Sequence, residues 1–161
     1  MSLPVVGELA PDFTLLTDEG QPLTLSSLRG QPVVLFFYPK DNTPHCTDEA
    51  CEFRDTLPQF VKSDAVILGL SPDSVRKHIN FKKKYKLTYP LLADTDQVVC
   101  KLYGVWGEKK LWGHRYLGVI RTTVIIDKHG VVAKLFEKVN VVGHVAEVMA
   151  AVAALALRLS N

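Results

Sequence analysis

The sequence is poor in cysteine, in net charge and in long apolar runs, and each shortage excludes a class of protein. Its 161 residues contain three cysteines, too few for the framework of disulfides that stabilises small secreted domains. A formal net charge of +2 gives no reason to expect nucleic acid or a membrane surface as a partner. The apolar C-terminal segment has ten uncharged residues between Glu147 and Arg158, too few to span a bilayer.

What remains is the composition of a globular protein. Hydrophobic residues make up 47% and charged residues 22% of the chain, which is ordinary for a folded domain. The length suffices for one full hydrophobic core, and no linker, repeat or low-complexity tract interrupts it, so residues 1–161 are expected to form a single domain. Met1 to Pro4 lack the basic and apolar regions of a secretory signal, so we expect a cytoplasmic protein.

Apolar runs typical of buried strands alternate with segments of helical periodicity. The predicted strands are residues 32–38, residues 65–70, a short stretch at 90–94, and two hairpins, one around 18–20 and one formed by 119–127 and 131–138. Predicted helices begin near Thr43, run from Val75 to Tyr85, from Asp96 to Leu102, and from Val145 to Leu159. Pro58 is expected to bend or divide the first helix. Together the elements predict a mixed α/β sheet flanked by helices.

The residues that are best suited to carry out chemistry follow the first buried strand. Pro39 ends that strand, and Thr43 precedes Pro44 as a helix N-cap precedes proline at the first helical position. Cys46 then falls in the first turn of the helix, where free backbone N–H groups and the helix dipole favour an anion. The sequence therefore predicts a nucleophilic thiolate at Cys46.

Pro39-Xaa3-Thr43-Xaa2-Cys46 resembles the active-site signature of the peroxiredoxins. The branch that it resembles most is bacterioferritin comigratory protein, or peroxiredoxin Q. The resemblance covers almost the whole chain through residues 38–55, 103–109, 120–123 and 142–144. One position departs from the branch, because His45 stands where glycine is usual.

The resemblance implies a thioredoxin-like fold with an N-terminal β-hairpin extension, and an enzyme without a cofactor. Such an enzyme reduces hydrogen peroxide and alkyl hydroperoxides through a sulfenic acid on Cys46. Cys51, five residues further on, has the spacing of the resolving cysteine in this branch, which implies an intramolecular disulfide. A thioredoxin-like or glutaredoxin-like protein would then reduce the disulfide, and a monomer is expected.

The same resemblance assigns supporting roles to four further residues. Thr43 and Arg121 would donate hydrogen bonds at the reacting sulfur, although Thr43 could serve as a helix cap alone and Arg121 could be a surface arginine of a strand. Pro39 would shield the sulfur from water. Glu49 would orient Arg121, with a solvated helix acid as the alternative.

Three interpretations of His45 stay open from the sequence. His45 can be a tolerated exposed side chain or a cationic neighbour of Cys46, or it can bind a soft metal together with Cys46 and Cys51, as in copper-handling proteins of thioredoxin-like fold. Cys100 lies in an apolar helical context and is expected to be a core cysteine. Trp106 and Trp112 are expected to serve as packing and loop anchors.

Overall fold

A seven-stranded mixed sheet forms the centre of the structure, a computed structural model that describes residues 2–160 and the side chains of residues 2–157. Its strands run in the order β2-β1-β5-β4-β3-β8-β9. Their bounds are β1 Thr14–Thr17, β2 Pro22–Thr24, β3 Val33–Phe37, β4 Val66–Ser71, β5 Leu91–Ala93, β8 Thr122–Ile126 and β9 Val132–Phe136. The remaining strands, β6 Trp106–Leu111 and β7 His114–Val119, form a separate two-stranded hairpin.

Four helices accompany the sheet: α1 Pro44–Lys62, α2 Val75–Tyr85, α3 Val98–Leu102 and α4 His144–Ser160. Strands β3, β4 and β5 are mutually parallel, and β8 pairs with β3 in the antiparallel sense. None of the helices in the described part of the chain is long and apolar enough to cross a membrane. The arrangement confirms the predicted mixed sheet with an N-terminal hairpin extension.

Strand β3 lies at the centre of the core because both of its faces are covered. Successive side chains of a strand point to opposite faces, and here Val34 and Phe36 belong to the apolar cluster that contains α1 and α4. Val33, Leu35 and Phe37 belong to the cluster on the opposite face, which contains α3. A strand buried on both faces reads as a continuous apolar run, which is why the sequence identified β3 without ambiguity.

The structure corrects the prediction for Pro58. Pro58 was expected to bend or divide helix α1, and the division is wrong because the helix is continuous through Pro58. Pro58 faces solvent, where water can satisfy the carbonyl that loses its partner. Phe53 and Phe60, on the opposite side, are fully buried with ring centroids 5.9 Å apart. Packing of both rings anchors the helix on either side of Pro58 to the core.

Helix α3 also differs from its prediction, because it begins at Val98 and not at Asp96. The side chain that binds its first N–H groups is Asp94, whose two carboxylate oxygens accept from the amides of Val99 (3.1 Å) and Cys100 (2.8 Å). An aspartate that precedes a helix can satisfy its free amides from a distance along the chain.

The hairpin of β6 and β7 was not predicted. Its two-residue turn, Trp112-Gly113, has positive φ at both positions (55° and 77°), the backbone of a tight hairpin turn. Trp112 at the tip is 91% exposed, so its expected role as a loop anchor is wrong. Trp106, at the base of the hairpin, is partly buried against the core, as predicted.

Candidate active site

The end of β3 and the first turn of α1 place Cys46 at the edge of the sheet. Tyr38 continues the β3 ladder by donating its N–H to Leu70 O (3.0 Å), and the chain then turns into α1 at Pro44. Cys46 is the third residue of the helix and is 2% exposed. Cys46 therefore lies in the first helical turn, as predicted, and its side chain is largely shielded from water.

Arg121 contacts the sulfur from a distant part of the chain. Its Nη2 donates to Cys46 Sγ over 3.0 Å, and its Nη1 donates to Glu49 Oε1 over 2.6 Å. The sequence suggested that Arg121 lies on a strand. The structure instead places it in the two-residue link between β7 and β8. The antiparallel register that pairs Phe37 with Thr122 brings this link to the C-terminal end of β3. The guanidinium thus places a hydrogen-bond donor and a positive charge directly at the sulfur.

Glu49 is fully buried one turn after Cys46. Burial raises its pKa to about 7, against the opposing effects of the Arg121 charge and hydrogen bond. Its Oε1 is paired with Arg121, whereas Oε2 has no hydrogen-bond partner among the described residues. A buried carboxylate with one unsatisfied oxygen is costly. The ion pair with Glu49 thus fixes the guanidinium of Arg121, whose Nη1 donates to the carboxylate and whose Nη2 donates to the sulfur.

Thr43 occupies the N-cap position of α1 with extended backbone angles (φ −100°, ψ 156°), but its side chain makes no cap hydrogen bond. The hydroxyl instead donates to Lys40 O over 2.9 Å. The helix-cap alternative for this side chain is therefore wrong. Because its proton is directed to Lys40, the Thr43 hydroxyl has no hydrogen left to donate to the sulfur in this arrangement, unlike the donor role that the resemblance implied, and only its oxygen lone pairs can accept. Pro39, four residues earlier, is half-buried at the start of the same loop.

The other two cysteines differ in their surroundings. Cys51 is half-buried within the continuous helix α1. Burial raises the pKa of its thiol, and the charge of Arg54 opposes that shift. Cys100 in α3 is fully buried, and burial followed by the charge of Asp94 raises the pKa of its thiol strongly. The prediction of a core cysteine at position 100 is confirmed.

His45 is exposed, next to Cys46 on the first turn of α1. Among the residues that the structure describes, His45, Cys46 and Cys51 do not bring three ligand atoms together. A soft-metal site at these positions would thus need a rearranged backbone.

Sequence reasoning missed two groups close to the site. Lys109 of β6 donates its Nζ to Val119 O (3.0 Å), and its pKa is lowered by burial and by the Arg121 charge, while Cys46 opposes the shift. His144 at the start of α4 is buried, with Nε2 2.8 Å from Thr123 Oγ1, and burial and then Arg121 lower its pKa to about 4. Both side chains lie on elements that only the sheet topology brings near Cys46.

Comparison with known proteins gives consistent matches. Residues 6–135 match the AhpC/TSA family. The putative peroxiredoxin bcp of Coxiella burnetii is 53% identical over 89% of this chain and 95% of its own length, and peroxiredoxin Bcp of Bacillus subtilis is 46% identical over 89% and 92%. A structure of the Xanthomonas campestris bacterioferritin comigratory protein, solved for its alkyl peroxide reduction activity, superposes with a TM-score of 0.88 at 38% identity, over 94% of this chain and 99% of that one.

Proposed function

The chain belongs to the AhpC/TSA family, and on that premise we propose that Cys46 is the nucleophile of a thiol peroxidase. The observation that carries the proposal is the 3.0 Å contact from Arg121 Nη2 to a buried sulfur in the first turn of α1. A sulfur in the first turn of a helix that accepts from a guanidinium is placed to act as a nucleophile.

The reaction transfers one peroxide oxygen to the sulfur. The Cys46 thiolate attacks that oxygen, the O–O bond breaks, and its electron pair leaves with the second oxygen as alkoxide or hydroxide, which takes up a proton. Arg121 can donate to the oxygen on which negative charge develops. Thr43 supports the pose because its oxygen can accept the O–H of the hydroperoxide. The sulfur is left as a sulfenic acid, and Pro39, half-buried at the loop, limits access of water to it.

Glu49 acts through Arg121 in this proposal. Its 2.6 Å contact with Nη1 leaves Nη2 directed at Cys46. A guanidinium held by a buried carboxylate needs no reorganisation when the peroxide enters, and such preorganisation is the main source of electrostatic catalysis.

Cys51 is proposed to resolve the sulfenic acid by forming a disulfide with Cys46. Both cysteines lie within α1. Five residues of regular helix separate their Cα atoms by about 8.6 Å, whereas a disulfide needs about 7 Å or less with facing side chains. The first turns of α1 must therefore unwind locally before the bond can form.

We further propose that residues 1–161 act as one domain on hydrogen peroxide and alkyl hydroperoxides. The alkyl substrates are supported by the activity for which the Xanthomonas campestris protein was studied. A thioredoxin-like or glutaredoxin-like donor would reduce the disulfide in the cytoplasm, and a monomer suffices because both cysteines belong to one chain. The metal-handling alternative is not favoured, since the named relatives are peroxiredoxins.

The decisive experiment measures peroxide consumption by purified protein with a thiol donor, with and without a chelator. Cys46→Ser should abolish turnover because a serine hydroxyl is not ionised at neutral pH, while the matched control Cys100→Ser should retain it. Turnover by Cys46→Ser would refute the nucleophile.

Peptide mapping of peroxide-treated protein tests resolution. A Cys46–Cys51 disulfide, with faster amide exchange over residues 47–54, is the expected result. A Cys46–Cys100 or intermolecular bridge would refute the role of Cys51.

A further inference from the structure

A buried histidine of α2, His78, lies against the loop that leads into α1. It is fully buried, with Nδ1 2.7 Å from Asp41 Oδ2 and Nε2 2.8 Å from Leu92 O. A carbonyl oxygen only accepts hydrogen bonds, so Nε2 carries a hydrogen, and a single proton lies between Nδ1 and the Asp41 carboxyl group. Both ring nitrogens are thus engaged, and the imidazole connects the active-site loop to β5.

Asp41 makes two further contacts, with Tyr38 and Asp73, and we refer to Tyr38, Asp41, Ser71, Asp73 and His78 as the Asp41 hub. Tyr38 donates its hydroxyl to Asp41 Oδ1 (2.6 Å). The Asp41 amide donates to Asp73 Oδ2 (2.8 Å), which also accepts from Ser71 Oγ (2.7 Å). All five side chains are buried. The hub ties one loop residue to the ends of β3 and β4 and to α2.

The hub includes three residues, Asp41, Asp73 and His78, whose ligand atoms lie within 4.8 Å of one another. Their hydrogen bonds do not suit a cation. The 2.7 Å contact between His78 Nδ1 and Asp41 Oδ2 holds a proton where a metal would have to lie. Asp73 Oδ2 receives two donors, the Asp41 amide and the Ser71 hydroxyl. The hub is therefore a hydrogen-bonded anchor.

A second anchor acts on the next residue of the loop. Asn42 has a left-handed backbone (φ 62°), a conformation that costs energy for a residue other than glycine. Its Oδ1 accepts from Tyr85 Oη (3.0 Å) and Lys84 Nζ (3.2 Å), both on α2. Helix α2 thus restrains two consecutive residues just before Thr43 and the first turn of α1.

We propose that His78 is a positioning residue, whose contact with Asp41 fixes the loop of residues 39–43 and so keeps Thr43 and Cys46 in the geometry in which the sulfur attacks peroxide. The inference rests on the proposed peroxidase function. It also makes His78 a determinant of the fate of the oxidised enzyme, because the same first turn has to unwind before Cys51 can reach Cys46.

Two reactions compete for the sulfenic acid. Condensation with the Cys51 thiol forms the disulfide and releases water. Attack on a second hydroperoxide, with cleavage of its O–O bond, gives a sulfinic acid on Cys46 and releases an alcohol or water. The second reaction needs the folded geometry and the first needs the unwound turn. A loosened loop should therefore slow the initial oxidation and also reduce the share of sulfinic acid.

Two variants, each of which reproduces one ring nitrogen of His78, separate its two contacts. Asparagine places its amide nitrogen near the position of Nδ1, so His78→Asn keeps a donor for Asp41 and loses the contact with Leu92. Glutamine places its amide nitrogen near Nε2, so His78→Gln keeps the contact with Leu92 and loses the one with Asp41. Each variant removes one hydrogen bond from the same buried space, which makes them controls for each other in thermal unfolding.

The rate of Cys46 oxidation by hydrogen peroxide and the yield of sulfinic acid per turnover, measured by mass spectrometry, are the readouts. His78→Gln should oxidise about tenfold more slowly, since small misplacements of reacting groups have effects of this size, and should form less sulfinic acid. His78→Asn should stay within about twofold of the parent in both readouts. Equal rates and equal sulfinic acid yields in the two variants would overturn the role of His78.

Tyr85→Phe provides a test that leaves the core intact. It removes one hydrogen bond to Asn42 and should shift both readouts in the same direction as His78→Gln, by a smaller factor. Tyr116→Phe on the β6–β7 hairpin is the matched control. If neither His78 variant folds, identical readouts for the two tyrosine variants overturn the inference. Failure of the parent protein to oxidise at Cys46 would instead refute the proposed function itself.

Discussion

Replacing Glu49 by glutamine is expected to stabilise the protein above neutral pH while it slows the reaction with peroxide. Glu49 is fully buried, and burial raises its pKa from the ordinary 4.5 to about 7 even though Arg121 opposes the shift. A difference of this size between the folded and unfolded states is equivalent to about 3 kcal/mol in the free energy of unfolding.

The sign of the pH dependence follows from the direction of the shift. Because the folded state holds the Glu49 proton more tightly than the unfolded state, the contribution of Glu49 to the free energy of unfolding decreases as the pH rises from about 4.5 to about 7 and is constant outside that window. Glutamine is uncharged at every pH. Glu49→Gln should therefore match the parent near pH 4.5 and exceed it by up to about 3 kcal/mol near pH 8.

His144 gives the opposite dependence and hides the effect in the parent protein alone. Burial and then the Arg121 charge lower its pKa from 6.5 to about 4. The unfolded state therefore binds the proton more tightly, and the free energy of unfolding increases between about pH 4 and pH 6.5. Only the difference between the parent and Glu49→Gln isolates the carboxyl group.

Urea unfolding under reducing conditions, repeated from about pH 4.5 to pH 8, measures that difference. Glu137→Gln, the same change at an exposed position after β9, is the control and should leave the stability nearly constant. A difference for Glu49→Gln that does not vary with pH, or a parent that is more stable than the variant at pH 8, would refute the reasoning. Oxidation by peroxide should slow by about tenfold in the variant, because Arg121 loses its charged anchor.

Three further substitutions test other contacts. Arg121→Lys should slow oxidation of Cys46 by at least about tenfold in stopped-flow measurements, because one ammonium cannot reproduce a two-armed fork; a rate within about twofold of the parent would contradict the geometry. His45→Gly should change the same rate by less than about twofold, since the side chain is exposed, and a tenfold change would assign His45 a direct part. Gly69→Ala should lower the free energy of unfolding by about 1–3 kcal/mol, because a Cβ there would lie 2.9 Å from the ring of Phe36; an unchanged midpoint in urea would contradict the packing.

The half of the site that lies within one segment could be predicted from sequence. The apolar run of β3, the Thr43-Pro44 step and Cys46 follow one another along the chain, so strand, cap position and first helical turn are local signals. Arg121 could be assigned only by resemblance. Its approach to the sulfur depends on the antiparallel register between β3 and β8, and no local pattern specifies which strands become neighbours.

The sequence did not predict side chains whose burial differs from the local hydrophobic pattern. His78 is fully buried on α2, whereas the neighbouring Ile79 is 46% exposed. A polar residue enters the core only when partners satisfy it, and its partners, Asp41 and Leu92, belong to other elements. The β6–β7 hairpin was missed for a related reason: most of its side chains are exposed, so it lacks the apolar alternation that reveals a half-buried strand.

The pairing of β3 with β8 also has a consequence for biosynthesis. Arg121 is synthesised 75 residues after Cys46, so a chain that is still being translated presents the thiol long before the guanidinium exists. Until β8 docks on β3, the sulfur lacks its hydrogen bond from the Arg121 guanidinium. The two halves of the site therefore come together only when the central sheet is complete.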